Sequence, residues 1–171
     1  MRVVSGELRG RRIESPVGDA TRPTTDKVRE AVFNALGSAG ILDGATVLDL
    51  FAGTGAMGIE ALSRGAQRCV FVERDRNALA TLRRNIDSLG LAERSEIVQG
   101  DALGAASREV DVLIADPPYG FAGWPDLISR AHAPFLVLEA DSPVTAPEGW
   151  ETVRERRYGR THVTFLARAS D

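Results

Sequence analysis

The segment from Asp49 to Gly58 carries a glycine pattern that is typical of nucleotide-binding loops. Gly53, Gly55 and Gly58 follow the spacing G-x-G-x-x-G, and Glu73 comes twenty residues after Gly53. In such loops the glycines let the backbone approach a ligand closely, and the later acid binds ribose hydroxyls. The sequence therefore predicts a nucleotide-like ligand. Its loop contacts are expected from Phe51, Ala52, Gly53, Thr54 and Gly55.

Three acidic residues narrow the choice of nucleotide. Asp49 stands at the mouth of the loop, where a carboxylate would repel a pyrophosphate but attract an ammonium or sulfonium group. Asp101 follows the third predicted strand and can accept a hydrogen bond from an adenine amino group. With Glu73 on the ribose, these acids fit S-adenosylmethionine, whose product is S-adenosylhomocysteine; the dinucleotide of an oxidoreductase is the alternative. Arg74 and Ala102 adjoin two of the acids and are counted with the cofactor site.

The tetrad Asp116-Pro117-Pro118-Tyr119 directly follows an almost wholly apolar run. In an arbitrary sheet protein it would be a turn, with the acid as a cap and a proline at the first helical position. After a cofactor loop it better suits one wall of a pocket. Asp116 and the carbonyl of Pro117 can accept hydrogen bonds, two prolines stiffen the loop, and Tyr119 offers a face for stacking. These four residues form the candidate catalytic group.

Length and composition indicate one globular domain. The chain has 171 residues, of which 43% are apolar and 26% charged, enough for a hydrophobic core. The sequence contains neither the roughly twenty apolar residues of a membrane span nor the apolar core of a signal peptide. Cys69 is the only cysteine, and the two histidines share no metal-ligand spacing. We expect a cytoplasmic monomer without membrane association, disulfide or metal.

The charged residues are unevenly distributed along the chain. The net charge is −3, yet residues 1–12 carry four arginines against one glutamate, and residues 154–160 do the same. Two basic ends on an acidic body indicate a surface for a polyanion, provided that the ends meet in space. Solvated charge on exposed hairpins is the alternative.

Residues 1–43 are expected to form a small extension before the cofactor loop. Arg2–Ser5 and Arg11–Glu14 have the composition of two short strands of a β-hairpin, with glycines between them. A stretch with glycine and proline follows. Apolar residues then recur at the spacing of an amphipathic helix, with Thr25-Asp26 as its cap.

Residues 44–171 alternate predicted strands with predicted helices. Strands are expected at Thr46–Phe51, Arg68–Glu73, Glu96–Gln99, Val110–Ala115 and Phe135–Glu139, with helices at Met57–Arg64, Arg76–Leu89 and Pro125–Ala133. Such units imply an α/β fold, a mostly parallel sheet with helices on both faces. Glu151–Tyr158 and Thr161–Ala167 predict a final antiparallel hairpin that turns at Gly159-Arg160. Ligands of such sheets bind at the carboxyl ends of the strands, where the acids and the tetrad fall.

Motifs over almost the whole chain resemble those of one methyltransferase family. DLFAGTG, FVERD, GDA and DPPY are similar to segments of class I S-adenosylmethionine-dependent methyltransferases that modify amino groups. RVVSGELRGRRI, TRPTTDKVREAVFNAL and RRYGRTHVTFL resemble the bacterial family that methylates N2 of one guanine in small-subunit 16S rRNA. The resemblance implies a Rossmann-like class I methyltransferase fold with a mostly parallel seven-stranded sheet. Tyr119 stands where some members of that family have phenylalanine.

The resemblance also implies a chemistry for the tetrad. A guanine exocyclic amine is a weak nucleophile because its lone pair is delocalised into the ring. Acceptors at Asp116 and Pro117 would hold the amine in a more tetrahedral, nucleophilic geometry, ready for attack on the sulfonium methyl. Tyr119 would stack on the base.

The implied partner is 16S rRNA, either free, in an assembly intermediate or in the small ribosomal subunit. Alternatives are another rRNA base, an adenine or cytosine of DNA, a protein amide, and a role as a non-catalytic S-adenosylmethionine-binding assembly protein. The candidate RNA contacts are Arg9, Arg11, Arg12, Arg22, Thr24, Lys27, Arg29, Arg157, Tyr158 and Arg160.

Overall fold

The computed structural model describes residues 1–15 and 25–170. The strands are β1 Thr46–Leu50, β2 Arg68–Glu73, β3 Ser95–Gln99, β4 Val112–Ala115, β5 Phe135–Ala140, β6 Trp150–Tyr158 and β7 Thr161–Arg168. The helices are α1 Asp26–Ser38, α2 Ala56–Ser63, α3 Arg76–Ser88, α4 Ala102–Ala105 and α5 Trp124–Arg130, with a 3-10 turn at Ala92–Arg94. Among the described residues, none of the helices has the length and apolar character that crossing a membrane requires.

All seven strands join one sheet in the order β3-β2-β1-β4-β5-β7-β6. Strands β1 to β5 run parallel, and β7 is antiparallel to both β5 and β6. The α/β, Rossmann-like prediction of a mostly parallel seven-stranded sheet with a C-terminal hairpin is confirmed. Because β1 pairs with β2 on one side and β4 on the other, the strand order reverses there, and the loops after β1 and β4 lie side by side.

Hydrophobic clusters cover both faces of the sheet. On the first face, residues of α1, α2 and α3 pack against alternate strand residues such as Val47 and Phe71. On the second face, α4 and α5 pack against residues such as Leu48 and Leu113. Side chains alternate along a strand, so Asp49 points to the first face, as Val47 does.

The C-terminal hairpin turns at the edge of the sheet that carries the ligand loops. Ala140 at the carboxyl end of β5 pairs with His162 near the start of β7. The connection between β6 and β7, at Gly159 and Arg160, therefore lies at the carboxyl edge of the parallel strands.

Most predicted elements in residues 44–170 form, with ends that differ by one to three residues. Strand β1 stops at Leu50 because Phe51 has a φ of 59°, a left-handed conformation that a strand does not contain. Helix α4 was not predicted, since its four residues are too short to show a helical periodicity.

The two predicted N-terminal strands pair with each other, but they are reduced to a single bridge. The N-terminal segment, residues 1–15, is closed by a single antiparallel bridge between Arg2 and Arg12. The Val3 amide donates to the Arg11 carbonyl at 2.9 Å and the Ile13 amide donates to the Met1 carbonyl at 2.8 Å. The next amides, those of Val4 and Ser5, donate instead to the carboxylate of Glu60 in α2. Hydrogen bonds to a helix side chain thus limit the backbone pairing of the two segments to the vicinity of one bridge.

A buried ion pair holds α1 and the N-terminal segment on α2. Glu60 and Arg29 are both 0% exposed, and Arg29 Nε donates to Glu60 Oε1 at 3.2 Å. Arg29 also donates to the carbonyl of Arg2 and to Asp26. The prediction that Arg29 contacts RNA phosphate is therefore wrong, because its guanidinium is buried and bonded to other groups inside the fold.

Candidate active site

The loop after β1 has the backbone of a ligand cradle. Phe51, Gly53 and Gly55 all have positive φ, and Phe51 does so without being glycine, a strained state that is typical of functional sites. A Cβ added to Gly53 would meet no atom within 4 Å, so open space faces this part of the loop. A ligand can therefore approach the backbone there, as the glycine pattern predicted.

The other glycines of the pattern serve packing. A Cβ on Gly58 would collide with the ring of Phe71 and lie 2.6 Å from Cys69 Sγ. A Cβ on Gly55 would lie 2.5 Å from Leu82 Cδ1. Gly58 lets α2 lie directly on β2, and the two glycines together fix the direction in which the loop leaves the sheet.

Asp49 is buried beneath this loop. Its Oδ2 accepts a hydrogen bond from the Gly58 amide at 3.0 Å. The pKa of Asp49 is raised to about 7, chiefly by burial and also by the nearby charges of Asp116 and Glu73, while the hydrogen bond from Gly58 lowers it. The register of β1 and β4, in which Leu50 pairs with Ala115, places the tetrad next to the loop after β1. A cation bound here would stabilise the ionised carboxylate.

Glu73 lies beside the loop after β1 and also binds its backbone. Its Oε1 accepts from the Gly53 amide at 3.0 Å, and its Oε2 accepts from the Arg74 and Asp75 amides at 2.8 and 2.9 Å. These bonds fix the carboxylate before any ligand arrives. About one of its four acceptor positions is left for a ribose hydroxyl.

Asp101 lies at the same edge as Glu73. The amide of Gly100 donates to the Glu73 carbonyl at 3.1 Å, which joins the ends of β2 and β3. The Asp101 side chain is exposed and makes no capping bond to α4, whereas Ala102 is buried. The structure thus brings the three acids to neighbouring strand ends, with Arg74 exposed beside them.

The tetrad forms one wall of a pocket. Residues 116–121 line it together with Trp124 and residues 139–141. Pro117 is buried, Asp116 is half-buried and Tyr119 is 51% exposed. The tetrad therefore follows β4 as a pocket wall rather than as the start of a helix.

Aromatic rings connect the two loops. The ring centroids of Phe51 and Phe121 lie 5.3 Å apart, and those of Phe121 and Trp124 lie 5.0 Å apart, both edge to face. Sequence reasoning missed Phe121 and the buried acid Glu139 of the pocket. The position of Glu139 at the end of a predicted strand was the available signal.

The predicted RNA contacts are not all in one place. Arg157, Tyr158 and Arg160 lie on the hairpin at the carboxyl edge, near the pocket. Arg157 pairs with His162 and Tyr158 with Thr161, so these two side chains point to opposite faces of the sheet.

The N-terminal candidates lie elsewhere. Arg11 donates to the carbonyl of Ser88 at the end of α3, and the turn that carries Arg9 packs on Ser63 at the end of α2. Both helix ends lie at the amino edge of the sheet, opposite the pocket. Arg12 and Lys27 are exposed. Arg22 and Thr24 lie outside the described residues.

Within the described residues, His, Cys, Asp and Glu form no group that could hold a metal ion.

A family model described as Conserved hypothetical protein 95 matches residues 1–167. The chain belongs to this family. The resemblance drawn from the motifs, to the bacterial 16S rRNA methyltransferase family, is confirmed by relatives that match this chain over most of their own length.

One such relative is the Bacillus subtilis (strain 168) protein named "Putative rRNA methyltransferase YlbH", 39% identical over 96% of this chain and 97% of that protein. Another is Ribosomal RNA small subunit methyltransferase D of Escherichia coli (strain K12), 37% identical over 94% of this chain and 86% of that protein.

Solved structures agree with the fold. The structure described as "Putative methyltransferase yhhF from Escherichia coli" has a TM-score of 0.86 and 30% identity, covering 100% of this chain and 99% of that chain. An RNA methyltransferase from Salinibacter ruber in complex with S-adenosyl-L-homocysteine has a TM-score of 0.65 and 25% identity, covering 88% and 95%. The protein thus has the Rossmann-like methyltransferase fold.

Proposed function

We propose that this protein transfers a methyl group from S-adenosylmethionine to the exocyclic N2 amine of a guanine in 16S rRNA. The observation that carries the proposal is the position of the tetrad pocket beside the glycine loop, at the strand-order reversal of a methyltransferase fold. Homologues named as rRNA methyltransferases support the rRNA part of the proposal. The methylation of an exocyclic amine rests on the tetrad chemistry, whereas guanine and its N2 atom rest on the motif resemblance.

The residues at the strand ends fit S-adenosylmethionine. Asp49 would attract its ammonium or sulfonium charge, Glu73 would bind a ribose hydroxyl, and Asp101 would accept from the adenine amine. The open space at Gly53 gives the cofactor room against the loop backbone, to which Phe51, Ala52, Thr54 and Gly55 would add contacts. Arg74 and Ala102 would border the adenosine. When bound, S-adenosylmethionine supplies an electrophilic methyl group.

The tetrad would prepare the amine. Asp116 and the carbonyl of Pro117 would each accept one N–H of N2, which localises the nitrogen lone pair for attack. Pro118 would stiffen the wall, and Tyr119 would stack on the extruded base, for which a loop of rRNA imposes a small unstacking cost. As the N–C bond forms, the methyl–sulfur bond breaks and S-adenosylhomocysteine leaves; N2 then gives up one proton, which Asp116 would accept.

Basic residues near the pocket would hold the RNA. Arg157, Tyr158 and Arg160 share its edge of the sheet, and the exposed side chains of Arg12 and Lys27 are further candidates. Arg9 and Arg11 would contact only RNA that extends around the protein to the opposite edge. Residues 1–43 are proposed to act as an RNA-holding extension of the 44–171 methyltransferase domain in a cytoplasmic monomer.

The test uses purified protein, tritiated S-adenosylmethionine and separate substrates: free 16S rRNA, assembly intermediates, small subunits, DNA and protein. Nucleoside mass spectrometry should detect N2-methylguanosine in an rRNA-containing substrate. Label on adenine, cytosine or protein alone would contradict the guanine assignment. Cofactor binding without any methyl transfer would favour the assembly-protein alternative.

A further inference from the structure

Glu139 is the most buried of the three acids that line the tetrad pocket, and the tetrad chemistry gives it no part. Only 2% of Glu139 is exposed, whereas Asp116 is half-buried and Asp141 is exposed. A buried carboxylate is held in one place by its surroundings, so it can serve as a pre-positioned acceptor.

The register of the sheet places Glu139 beside Asp116. Ala115 of β4 pairs with Leu138 of β5 in parallel register, so the next residues along the two strands are Asp116 and Glu139. Ala115 and Leu138 both belong to the second-face cluster. Because side chains alternate along a strand, the two acids emerge together on the first face, where Asp49 also points.

We propose that Glu139 selects guanine by accepting the N1–H of the target base, an inference that rests on the proposed function. The edge of guanine that carries the amine presents three N–H groups, one on N1 and two on N2. Asp116 and the Pro117 carbonyl account for the two on N2. Glu139 is the neighbouring acceptor for the third. A carboxylate has about four acceptor positions, so Glu139 can keep a protein donor and still bind the base.

The same carboxylate disfavours other bases. Adenine and cytosine carry an unprotonated ring nitrogen next to the exocyclic amine, where guanine has N1–H. That lone pair would face the negative charge of Glu139 without a proton between them, which is repulsive. Glu139 would thus give a guanine preference to a tetrad whose acceptors suit any planar amine.

The test compares two substrates that differ in the N1 proton and in the neighbouring O6 carbonyl. One rRNA fragment carries guanosine at the methylated position, and the other carries 2-aminopurine riboside, which keeps the 2-amino group but has an unprotonated N1. Wild-type protein should prefer guanosine by about tenfold to a hundredfold in kcat/KM, the usual effect of a hydrogen bond to a charged group. Glu139→Gln should reduce or reverse this preference, because its amide can donate to the bare N1.

The ratio of the two substrates separates recognition from folding. A purely structural Glu139 would lower both rates by the same factor in Glu139→Gln, and that result would overturn the inference. Glu148→Gln removes a charge at an exposed site outside the pocket and should keep the wild-type ratio. If Glu139→Gln fails to fold by circular dichroism, equal wild-type rates on both substrates would overturn the inference. Absence of any guanosine methylation by wild type would instead contradict the proposed function.

Discussion

At the scale of single residues, the carboxyl group of Asp49 combines burial with two acidic neighbours. Burial, then Asp116 and Glu73, raise its pKa to about 7 from an ordinary value of 3.8, although the Gly58 amide lowers it. A shift of this size corresponds to roughly 4 kcal/mol. The ligand-free fold therefore destabilises the ionised form of a residue that a bound cation would stabilise.

The free energy of unfolding should consequently depend on pH. A carboxyl with a raised pKa in the fold binds its proton more tightly there than in the unfolded chain. Stability from Asp49 should be fully present below about pH 4 and lost as the pH rises to about 7. Asp49→Asn keeps an oxygen for the Gly58 amide and should raise the Tm at about pH 8.

Thermal unfolding at about pH 5 and about pH 8 checks this prediction. The difference between Asp49→Asn and wild type should be larger at the higher pH. Calorimetry should show weaker S-adenosylmethionine binding by the variant, because its charge is lost. A variant that is less stable than wild type at the higher pH would contradict the effect assigned to burial.

Replacing Asp116 should separate chemistry from cofactor binding. Asp116→Ala should lower kcat by at least about a hundredfold, since an acceptor that acts in the transition state is removed. Its affinity for S-adenosylmethionine should be equal or higher, because Asp116 raises the pKa of Asp49. Single-turnover kinetics and calorimetry measure both. Asp126→Ala, at an exposed position on α5, is the matched control, and near-normal turnover of Asp116→Ala would refute the assignment.

At the scale of elements, α3 ties the cofactor loop to the N-terminal segment through one side chain. Asn85 is 0% exposed. Its Nδ2 donates to the carbonyls of Thr54 at 2.9 Å and Glu14 at 3.1 Å, and its Oδ1 accepts from the Glu14 amide at 2.8 Å. Loop and segment therefore share one anchor.

Asn85→Ala should destabilise the protein by about 1–3 kcal/mol, because it leaves buried backbone groups unpaired. It should also weaken S-adenosylmethionine binding, since the Thr54 carbonyl loses its anchor. Urea unfolding and calorimetry check the two effects. Asn34→Ala, which removes only an exposed bond to Arg64, should change neither by much. Lost stability with unchanged cofactor affinity would show that the loop does not depend on this tether.

At the scale of the whole molecule, the two basic ends of the chain lie at different edges of the sheet. The hairpin turn with Arg160 is at the carboxyl edge, near the pocket, whereas Arg9 and Arg11 lie toward the amino edge. A single RNA-binding surface would require the two basic ends to lie together, and these arginines do not. RNA that enters the pocket would meet the hairpin first.

Replacing Arg157 and Arg160 together with alanine should weaken rRNA binding. It should also make the negative slope of log affinity against log salt concentration shallower by roughly 1.4, because each lost phosphate contact on single-stranded RNA removes about 0.7. Filter binding over a range of salt concentrations measures this. The control pair is Arg68→Ala with Arg108→Ala, two partly exposed arginines that pair with Glu96 at the amino edge. An unchanged slope in the hairpin variant would remove the RNA role from the hairpin.

Local spacing was sufficient for much of the fold. Strand and helix periodicities predicted β1 to β7 and α1, α2, α3 and α5 to within a few residues, because each depends on neighbours along the chain. The G-x-G-x-x-G spacing predicted the cradle at Gly53 for the same reason. The predicted N-terminal strands are reduced to one bridge, because Glu60, more than fifty residues away in sequence, binds the amides of Val4 and Ser5.

The sequence by itself determined which residues end each strand, and therefore which acids and which tetrad meet at one edge. Only the tertiary structure decided that Arg29 is buried against Glu60, that Arg11 lies at the amino edge, and that Glu139 stands beside Asp116. Residue type and spacing set the local path of the chain, whereas burial and strand register depend on partners distant in sequence. An arginine in a buried ion pair and an arginine that contacts RNA cannot be distinguished in the sequence until the packing around each is known.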